Sequence, residues 1–234
     1  MTEFTAKPWR HERKFRISPV QHAAATRWCR QALAPDPHAG PDGRYFIRSL
    51  YLDSLENGDY LDKAVEAPER KKIRVRVYSE QPDFAVLERK HKVGMWNQKE
   101  RLSLALDEAA ALLRGEADFL LGRATDAAVR FYAEIQSGLY RPVVGVEYER
   151  EAYLLPFEDI RITFDHAVRY TLADFALTGR KSLIPLFADG SVVLEVKYNE
   201  EFPRWAAARL GAVDEVQIAL SKFGLALAPW RPAV

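Results

Sequence analysis

The chain has 234 residues, and its 34 Lys and Arg against 33 Asp and Glu leave it close to neutral. A protein that binds nucleic acid through its overall field is usually more basic, so we expect no nucleic-acid partner. The single cysteine, Cys29, excludes an internal disulfide and a Cys-rich zinc module. Because no apolar run reaches the length of a membrane span and the N-terminus lacks a signal-peptide core, we predict one cytoplasmic domain over residues 1–234.

The first predicted elements are a charged strand and a helix. Charged and apolar residues alternate up to Ile17, which is the two-residue period of a β-strand. Ser18 and Pro19 then suit the N-cap and the first position of a helix, which we expect to continue to about Leu33. Cys29 falls on the packed side of this helix, so we interpret it as a small core residue.

Arg48 disturbs the next predicted strand, Tyr45–Asp53. The residues two positions away on the same face, Phe46 and Leu50, are apolar. Either a bulge resets the register here or the arginine side chain reaches around the sheet. A short helix over Ser54–Val65 is expected to follow this strand.

The predicted strand Lys72–Tyr78 has the clearest alternation in the chain. Its aliphatic residues fall on one face, because successive strand residues point to opposite faces. The other face carries Lys72, Arg74, Arg76 and Tyr78. We predict that Phe84–Val93 and Gln98–Leu106 form a hairpin around a turn at Gly94–Asn97.

From Asp107 onward the period changes to that of helices. We predict that Asp107 caps one helix and that a second helix begins near Asp126. Strands then return, and two helical stretches follow them, one that begins at Pro203 and one that ends in Ser221–Phe223. The predicted strands of this half are Val143–Leu154, Ile160–Asp165 and Val192–Asn199.

About eight strands in hairpin-like succession, broken by helices, predict an α+β fold built on an antiparallel sheet. One face of each strand is apolar and is expected to pack on the helices. The opposite face carries charges at strand centres, where Lys and Glu have low β-propensity and like charges repel across strands. Its members are Glu12, Lys14, Arg74, Arg76, Glu88, Lys90, Arg161, Asp165, Glu195 and Lys197. This face either meets water on an open sheet or lines the lumen of a barrel, where a polyanion and a divalent cation would relieve the repulsion.

Short motifs along nearly the whole chain resemble, in order, those of the VTC domain. That is the polyphosphate polymerase domain of the vacuolar transporter chaperone complex, a branch of the CYTH-like triphosphate tunnel metalloenzymes. The motifs are Arg10–Phe15, Arg48–Asp53, Lys72–Tyr78, Leu87–Lys90, Arg161–Asp165, Leu194–Tyr198 and Ser221–Phe223. The resemblance implies an eight-stranded antiparallel β-barrel with helices on its outer face, whose basic tunnel grips ATP or another triphosphate and inorganic polyphosphate.

The resemblance also implies roles for individual residues. The phosphate contacts that would carry catalysis are Lys14, Arg74, Arg76, Lys90, Arg150, Lys197 and Lys222. Further substrate contacts are expected at Arg48, Lys99, Arg101, Arg161 and Ser221.

The metal ligands are less determined than the phosphate contacts. Glu195 would be the main ligand of Mn²⁺ or Mg²⁺, both of which prefer hard oxygen. Its residue type also fits an ion pair with Lys14 or Lys197. Glu12 and Glu88 would be additional ligands or would only orient the basic side chains.

Three functions fit these residues. The leading hypothesis is transfer of the γ-phosphoryl group of ATP to polyphosphate; the others are hydrolysis of tripolyphosphate or a nucleoside triphosphate, and polyphosphate binding without catalysis. Arg10 stands where the wider superfamily's Glu-x-Glu-x-Lys signature has its first glutamate, which argues against a dedicated triphosphatase. The chain resembles a free-standing prokaryotic VTC domain, because it shows no SPX or transmembrane segment, and a protein partner is left open.

Overall fold

The computed structural model describes residues 11–93, 96–155, 160–199, 204 and 221–231. Its strands are β1 His11–Ile17, β2 Ala34–Pro35, β3 Arg44–Asp53, β4 Glu69–Val77, β5 Ala85–Val93, β6 Trp96–Leu104, β7 Arg141–Leu155, β8 Ile160–Thr171, β9 Ile184–Pro185 and β10 Val192–Tyr198. Its helices are α1 Pro19–Ala32, α2 Gly58–Ala64, α3 Leu106–Leu113, α4 Asp126–Ser137 and α5 Lys222–Leu227, with short 3₁₀ turns at Asp118–Leu120 and Ala228–Trp230. No described helix is long and apolar enough to cross a membrane.

The described strands form one antiparallel sheet. The eight long strands follow the order β1-β10-β8-β7-β3-β4-β5-β6, while β2 pairs with β7 and β9 pairs with β8. This arrangement confirms the predicted α+β fold with an eight-stranded antiparallel sheet at its centre.

The sheet curls so that its charged face lies inside. Lys90 of β5 and Glu12 of β1 belong to strands near opposite ends of the strand order, yet Lys90 Nζ lies 3.1 Å from Glu12 Oε2. Such a contact requires the sheet to bend around a lumen. The described edge strands β1 and β6 are not hydrogen-bonded to each other, so side chains rather than a backbone ladder bring the two ends together.

The outer face of the sheet is the buried apolar face, as predicted. Helices α3 and α4 cover β4, β5 and β6, and Leu112 and Phe131 pack there against Ile73 and Leu87. Helix α1 covers β8 and β10, where Cys29 packs beneath it as a fully buried core residue. Each fully buried Leu, Ile or Phe contributes about 1.5–3 kcal/mol relative to an exposed one, so the packing of the helices on this face stabilises the fold.

Helix α5 fills one end of the lumen. Its Phe223 ring lies 5.2 Å from the ring of Tyr51 on β3, measured between centroids. Phe223 and Leu227 belong to a cluster of buried residues with Val144 and Val193, which alternate with the outward-facing residues of their strands. The lumen is therefore apolar where Phe223 and Leu227 pack, while Lys222 of the same helix contacts the charged part of the lining at Asp165.

The structure corrects several predicted boundaries. Helix α3 begins at Leu106 rather than after an Asp107 cap, because the Glu108 carboxylate accepts the Ala105 N–H at 2.9 Å. Ser221 begins a helix instead of ending one, since its hydroxyl accepts the Gly224 N–H at 3.2 Å. The helix predicted from Pro203 lies outside the described residues.

Candidate functional site

The lumen is lined by alternate residues of the long strands and by the first turn of α5. The basic side chains there outnumber the carboxylates. The cations are Lys14, Lys72, Arg74, Arg76, Lys90, Lys99, Arg101, Arg150, Arg161, Lys197 and Lys222, and the carboxylates are Glu12, Glu88, Asp165 and Glu195.

Three lysines stand in a row across neighbouring strands. Lys72 of β4 is directly opposite Lys90 of β5, which is directly opposite Lys99 of β6. Like charges in such positions repel, and burial adds to the cost. Burial lowers the pKa of Lys72 well below its usual value, and Lys14 and Lys90 lower it further. Lys72 donates to the Ser221 hydroxyl at 2.7 Å, and no carboxylate among the described residues pairs with it.

Glu88 organises the cations beside this row. It is only 2% exposed, and its side chain lies 2.6 Å from Arg74, 2.7 Å from Arg101, 2.9 Å from Lys99 and 3.6 Å from Arg76. Burial alone would raise the pKa of Glu88, but the surrounding cations, Arg74 first, hold it well below its ordinary range. Four basic side chains already surround its carboxylate, so this geometry favours the orienting role over the metal-binding one.

Arg76 is held in a different way from Arg74. Its Nε donates to the Ser49 hydroxyl at 2.9 Å, and its Nη2 donates to the Tyr148 hydroxyl at 3.4 Å. Both partners are neutral, and the Glu88 contact of Arg76 is longer than that of Arg74. Arg76 is therefore oriented towards the lumen while much of its charge stays uncompensated.

Two carboxylates converge at the other wall of the lumen. Lys14 Nζ lies 2.5 Å from Glu12 Oε1 and 3.4 Å from Glu195 Oε2, so one ammonium group bridges both side chains. Glu195 also pairs with Lys197 at 2.6 Å. Both ion pairs that the sequence left open for Glu195 are thus present. Burial would raise the pKa of Glu195, but Lys197 and Lys14 hold it well below its usual value.

The Glu12–Glu195 pair suits a hard divalent cation. Oxygens of both carboxylates lie within 3.4 Å of one Nζ atom, so the two side chains face the same point in the lumen. Carboxylate oxygens are the ligands that hard divalent cations prefer. Glu12 is partly exposed to the lumen, so an ion and its water ligands can reach it. Among the three sequence-predicted ligands, Glu195 and Glu12 thus face one point in the lumen, whereas Glu88 is surrounded by four basic side chains.

Asp165 fixes the cations nearest to α5. Arg150 binds it with two parallel hydrogen bonds, at 2.6 and 2.9 Å, and Lys222 contacts its second oxygen. Asp165 is completely buried; burial would raise its pKa, but Arg150 and Lys222 lower it to about 2. The carboxylate stays ionised and holds both basic side chains in place.

The structure brings nearly all the predicted site residues to the lumen. Arg161 reaches it near Asp36 and Tyr45, at 2.6 and 2.9 Å, and Ser221 lies at the start of α5. The other residues that share the lumen are Glu12, Lys14, Arg74, Arg76, Glu88, Lys90, Lys99, Arg101, Arg150, Glu195, Lys197 and Lys222.

Arg48 is the predicted substrate contact that the structure does not bring to the site. It lies buried on the outer face, 2.5 Å from Glu147, and it donates to the carbonyls of Leu177 and Gly179. Neither a bulge nor a reaching side chain is needed, because a buried acidic partner and a loop satisfy it where it stands. The expectation that Arg48 contacts substrate was wrong.

Two lumen residues were missed as site candidates, Lys72 and Tyr148. Lys72 shares the alternation of Arg74 and Arg76, so the signal for it was present in the sequence. Tyr148 had no comparable signal, because its role depends on Arg76, which is 72 positions away in the chain.

The sequence and the fold are both similar to known proteins. The VTC domain model matches residues 9–231. The fold is similar to that of a candidate adenylate cyclase from Bacillus halodurans, with a TM-score of 0.51 and 14% identity, covering 93% of this chain and 96% of that one. It is also similar to the fold of HpAC1 from Hippeastrum, a candidate adenylyl cyclase with a dominant triphosphatase activity, with a TM-score of 0.56 and 14% identity, covering 93% and 95%. These identities support the fold alone, and no curated protein is significantly similar in sequence.

Proposed function

Because this chain belongs to the VTC domain family, we propose that it is a metal-dependent transferase that moves the γ-phosphoryl group of ATP onto polyphosphate held in the lumen. The observation that carries the proposal is the lysine row Lys72, Lys90 and Lys99. Lys90 and Lys99 pair with Glu12 and Glu88, but Lys72 has no carboxylate partner among the described residues. A bound phosphate chain would supply the negative charge that this row lacks.

Phosphoryl transfer requires the protein mainly to position the reacting groups and to supply positive charge around them. The transferring group passes through a state with charge spread over its oxygens, and fixed cations stabilise that charge. Arg74 and Arg76 are two residues apart on one strand face, so their side chains run parallel along the lumen. The planar guanidinium fork suits two-point contact with phosphate oxygens. Glu88 and the neutral partners of Arg76 fix the orientation of both guanidinium groups before substrate binds.

Glu195 and Glu12 would hold the divalent cation. When bound, Mn²⁺ or Mg²⁺ would neutralise charge on the phosphate oxygens of the substrate. In the absence of the ion, Lys14 bridges the two carboxylates. With the cation bound, Lys14 would be free to contact the phosphate chain. The lysine and the metal would then both neutralise negative charge on the phosphate oxygens.

The products of ATP turnover test this proposal. The purified protein is incubated with ATP and Mn²⁺, and polymer and orthophosphate are measured in the same sample. Transfer predicts polyphosphate with an equivalent amount of ADP. Orthophosphate without polymer would replace the proposal with hydrolysis in the same lumen, and no turnover together with tight polyphosphate binding would replace it with a binding module.

A further inference from the structure

A second group of metal-ligating side chains lies on the outer face of the sheet, away from the lumen. His22 of α1, Glu151 of β7 and His166 of β8 place one potential ligand atom each within 4.8 Å of the others. Glu151 and His166 are buried, and His22 is partly buried between the helix and the sheet. Three different elements therefore meet at this point.

We propose that His22, Glu151 and His166 form a zinc site that ties α1 to the outer face of the sheet. Two imidazoles and one carboxylate are a donor set that Zn²⁺ accepts, usually with water as the fourth ligand. This site would be independent of the lumen and of the divalent cation proposed there.

The distances suit coordination. His22 Nε2 lies 3.2 Å and His166 Nε2 lies 3.3 Å from the same oxygen, Glu151 Oε2. In a tetrahedral zinc site with bonds of about 2.0–2.1 Å, neighbouring ligand atoms are about 3.3 Å apart. The two imidazole nitrogens thus already stand at the separation from Oε2 that a shared ion requires.

His166 Nε2 points to a ligand that hydrogen bonding does not supply. The residue is only 8% exposed, and this nitrogen is buried without a hydrogen-bond partner in the structure. It is near Glu151 Oε2 but out of line with it for a hydrogen bond. In a tetrahedral site the metal lies about 35° away from the line that joins two ligands, so coordination does not require His166 Nε2 to point at Glu151 Oε2.

The outer partners of Glu151 leave the right oxygen available. Its Oε1 accepts hydrogen bonds from the Tyr153 hydroxyl at 2.5 Å and from Arg30 Nη2 at 3.1 Å. These bonds fix the carboxylate so that Oε2 faces the two histidines. Hydrogen bonds of this kind orient metal ligands in established sites, where their loss weakens binding about 10- to 100-fold.

The test is a calorimetric titration of Zn²⁺ into the metal-free protein without any phosphate ligand. Five proteins are compared: wild type, His22→Ala, His166→Asn, Glu195→Gln and His91→Asn. His91 is the matched control, because its Nε2 lies 2.9 Å from Glu69 in a histidine–glutamate pair that has no third potential ligand among the described residues. Glu195→Gln removes the main ligand proposed for the lumen metal, so it separates the two sites.

One Zn²⁺ per chain is expected in the wild type, with unchanged affinity in Glu195→Gln and His91→Asn. His22→Ala and His166→Asn should each weaken binding by more than about 100-fold, beyond the loss of an outer partner. Since His22 is partly exposed, its variant is expected to fold even if the His166 variant does not, and circular dichroism checks both. A wild type that binds no Zn²⁺, or a folded His22→Ala that binds it as tightly as wild type, would overturn the proposal.

Discussion

Glu88→Gln tests the electrostatic design of the lumen. The change keeps the shape of a side chain that is 2% exposed but removes the negative charge among Arg74, Arg76, Lys99 and Arg101. Breaking a buried ion pair by removing one partner costs about 3–5 kcal/mol. In a protein of this length, 1 kcal/mol corresponds to about 2–4 °C, so Tm should fall by roughly 6–20 °C.

Polyphosphate should reverse part of this loss, because its oxygens replace the missing charge. The rise in Tm on adding polyphosphate is therefore expected to be larger in Glu88→Gln than in wild type. Glu100→Gln is the matched control: Glu100 is 4% exposed and pairs with Arg89 and Arg130, at 2.9 and 2.8 Å, on the outer face. Glu100→Gln should be less stable than the wild type, but polyphosphate should raise its Tm by no more than it raises that of the wild type.

The pH dependence of stability has a definite sign. The cations depress the pKa of Glu88 in the folded state below its ordinary value of 4.5. Its stabilising contribution is thus complete above pH of about 4.5 and declines as the pH falls below that value. Chemical unfolding of wild type and Glu88→Gln should show a gap in free energy that narrows as the pH falls from about 5 towards 3. Equal stability of the two proteins at neutral pH, or equal polyphosphate responses in Glu88→Gln and Glu100→Gln, would refute this reasoning.

Two further substitutions separate the lumen from the outer face. Arg76→Ala should weaken polyphosphate binding about 10- to 100-fold, which corresponds to the loss of one charge-assisted hydrogen bond. Little loss of stability is expected, because the closest partners of Arg76 are neutral. Calorimetry at fixed salt measures the affinity, and an unchanged affinity would show that Arg76 does not bind the polymer. Arg48→Ala should leave polyphosphate affinity unchanged but destabilise the protein by about 3–5 kcal/mol, because Glu147 is left buried and unpaired. Denaturant unfolding measures the loss, and an Arg48→Ala variant as stable as the wild type would contradict this prediction.

The sequence predicts the faces of the strands well, because alternation is a local property. Lys72–Tyr78 shows on its own which side chains share a face, and the structure places Arg74 and Arg76 together in the lumen. Where such strands follow one another in antiparallel hairpins, the same periodicity also gives the composition of the lining. The basic composition of this face was therefore predictable from residue types and spacing. That the face lies inside a curled sheet was not, because spacing alone left an open sheet equally allowed and only the resemblance to the VTC domain implied a tunnel.

Arg48 shows where this reasoning fails. Its position in the strand was read correctly, but its partner Glu147 is 99 residues away, and its two carbonyl acceptors lie in a later loop. Nothing local distinguishes a buried outer arginine with such partners from one that binds substrate. The His22–Glu151–His166 cluster is likewise set by contacts between a helix and strands that are distant in sequence.

Helix boundaries were less predictable for a similar reason. Asp107 looks like a cap by residue type, but the Glu108 side chain satisfies the backbone one turn earlier, so the helix starts at Leu106. The residue type of Ser221 did not by itself show whether a helix begins or ends there. In the structure its hydroxyl accepts the Gly224 N–H, which makes Ser221 the N-cap of α5.

The central claim is that the lumen holds a phosphate chain together with a divalent cation on Glu195. Thermal unfolding of wild type and Glu195→Gln, with tripolyphosphate across a manganese titration, tests it most directly. The relevant quantity is the part of the manganese response that requires tripolyphosphate, since this excludes any ion bound elsewhere. We predict that tripolyphosphate alone stabilises both proteins and that added Mn²⁺ raises the Tm of the wild type only. An equal tripolyphosphate-dependent response to Mn²⁺ in both proteins would contradict the claim.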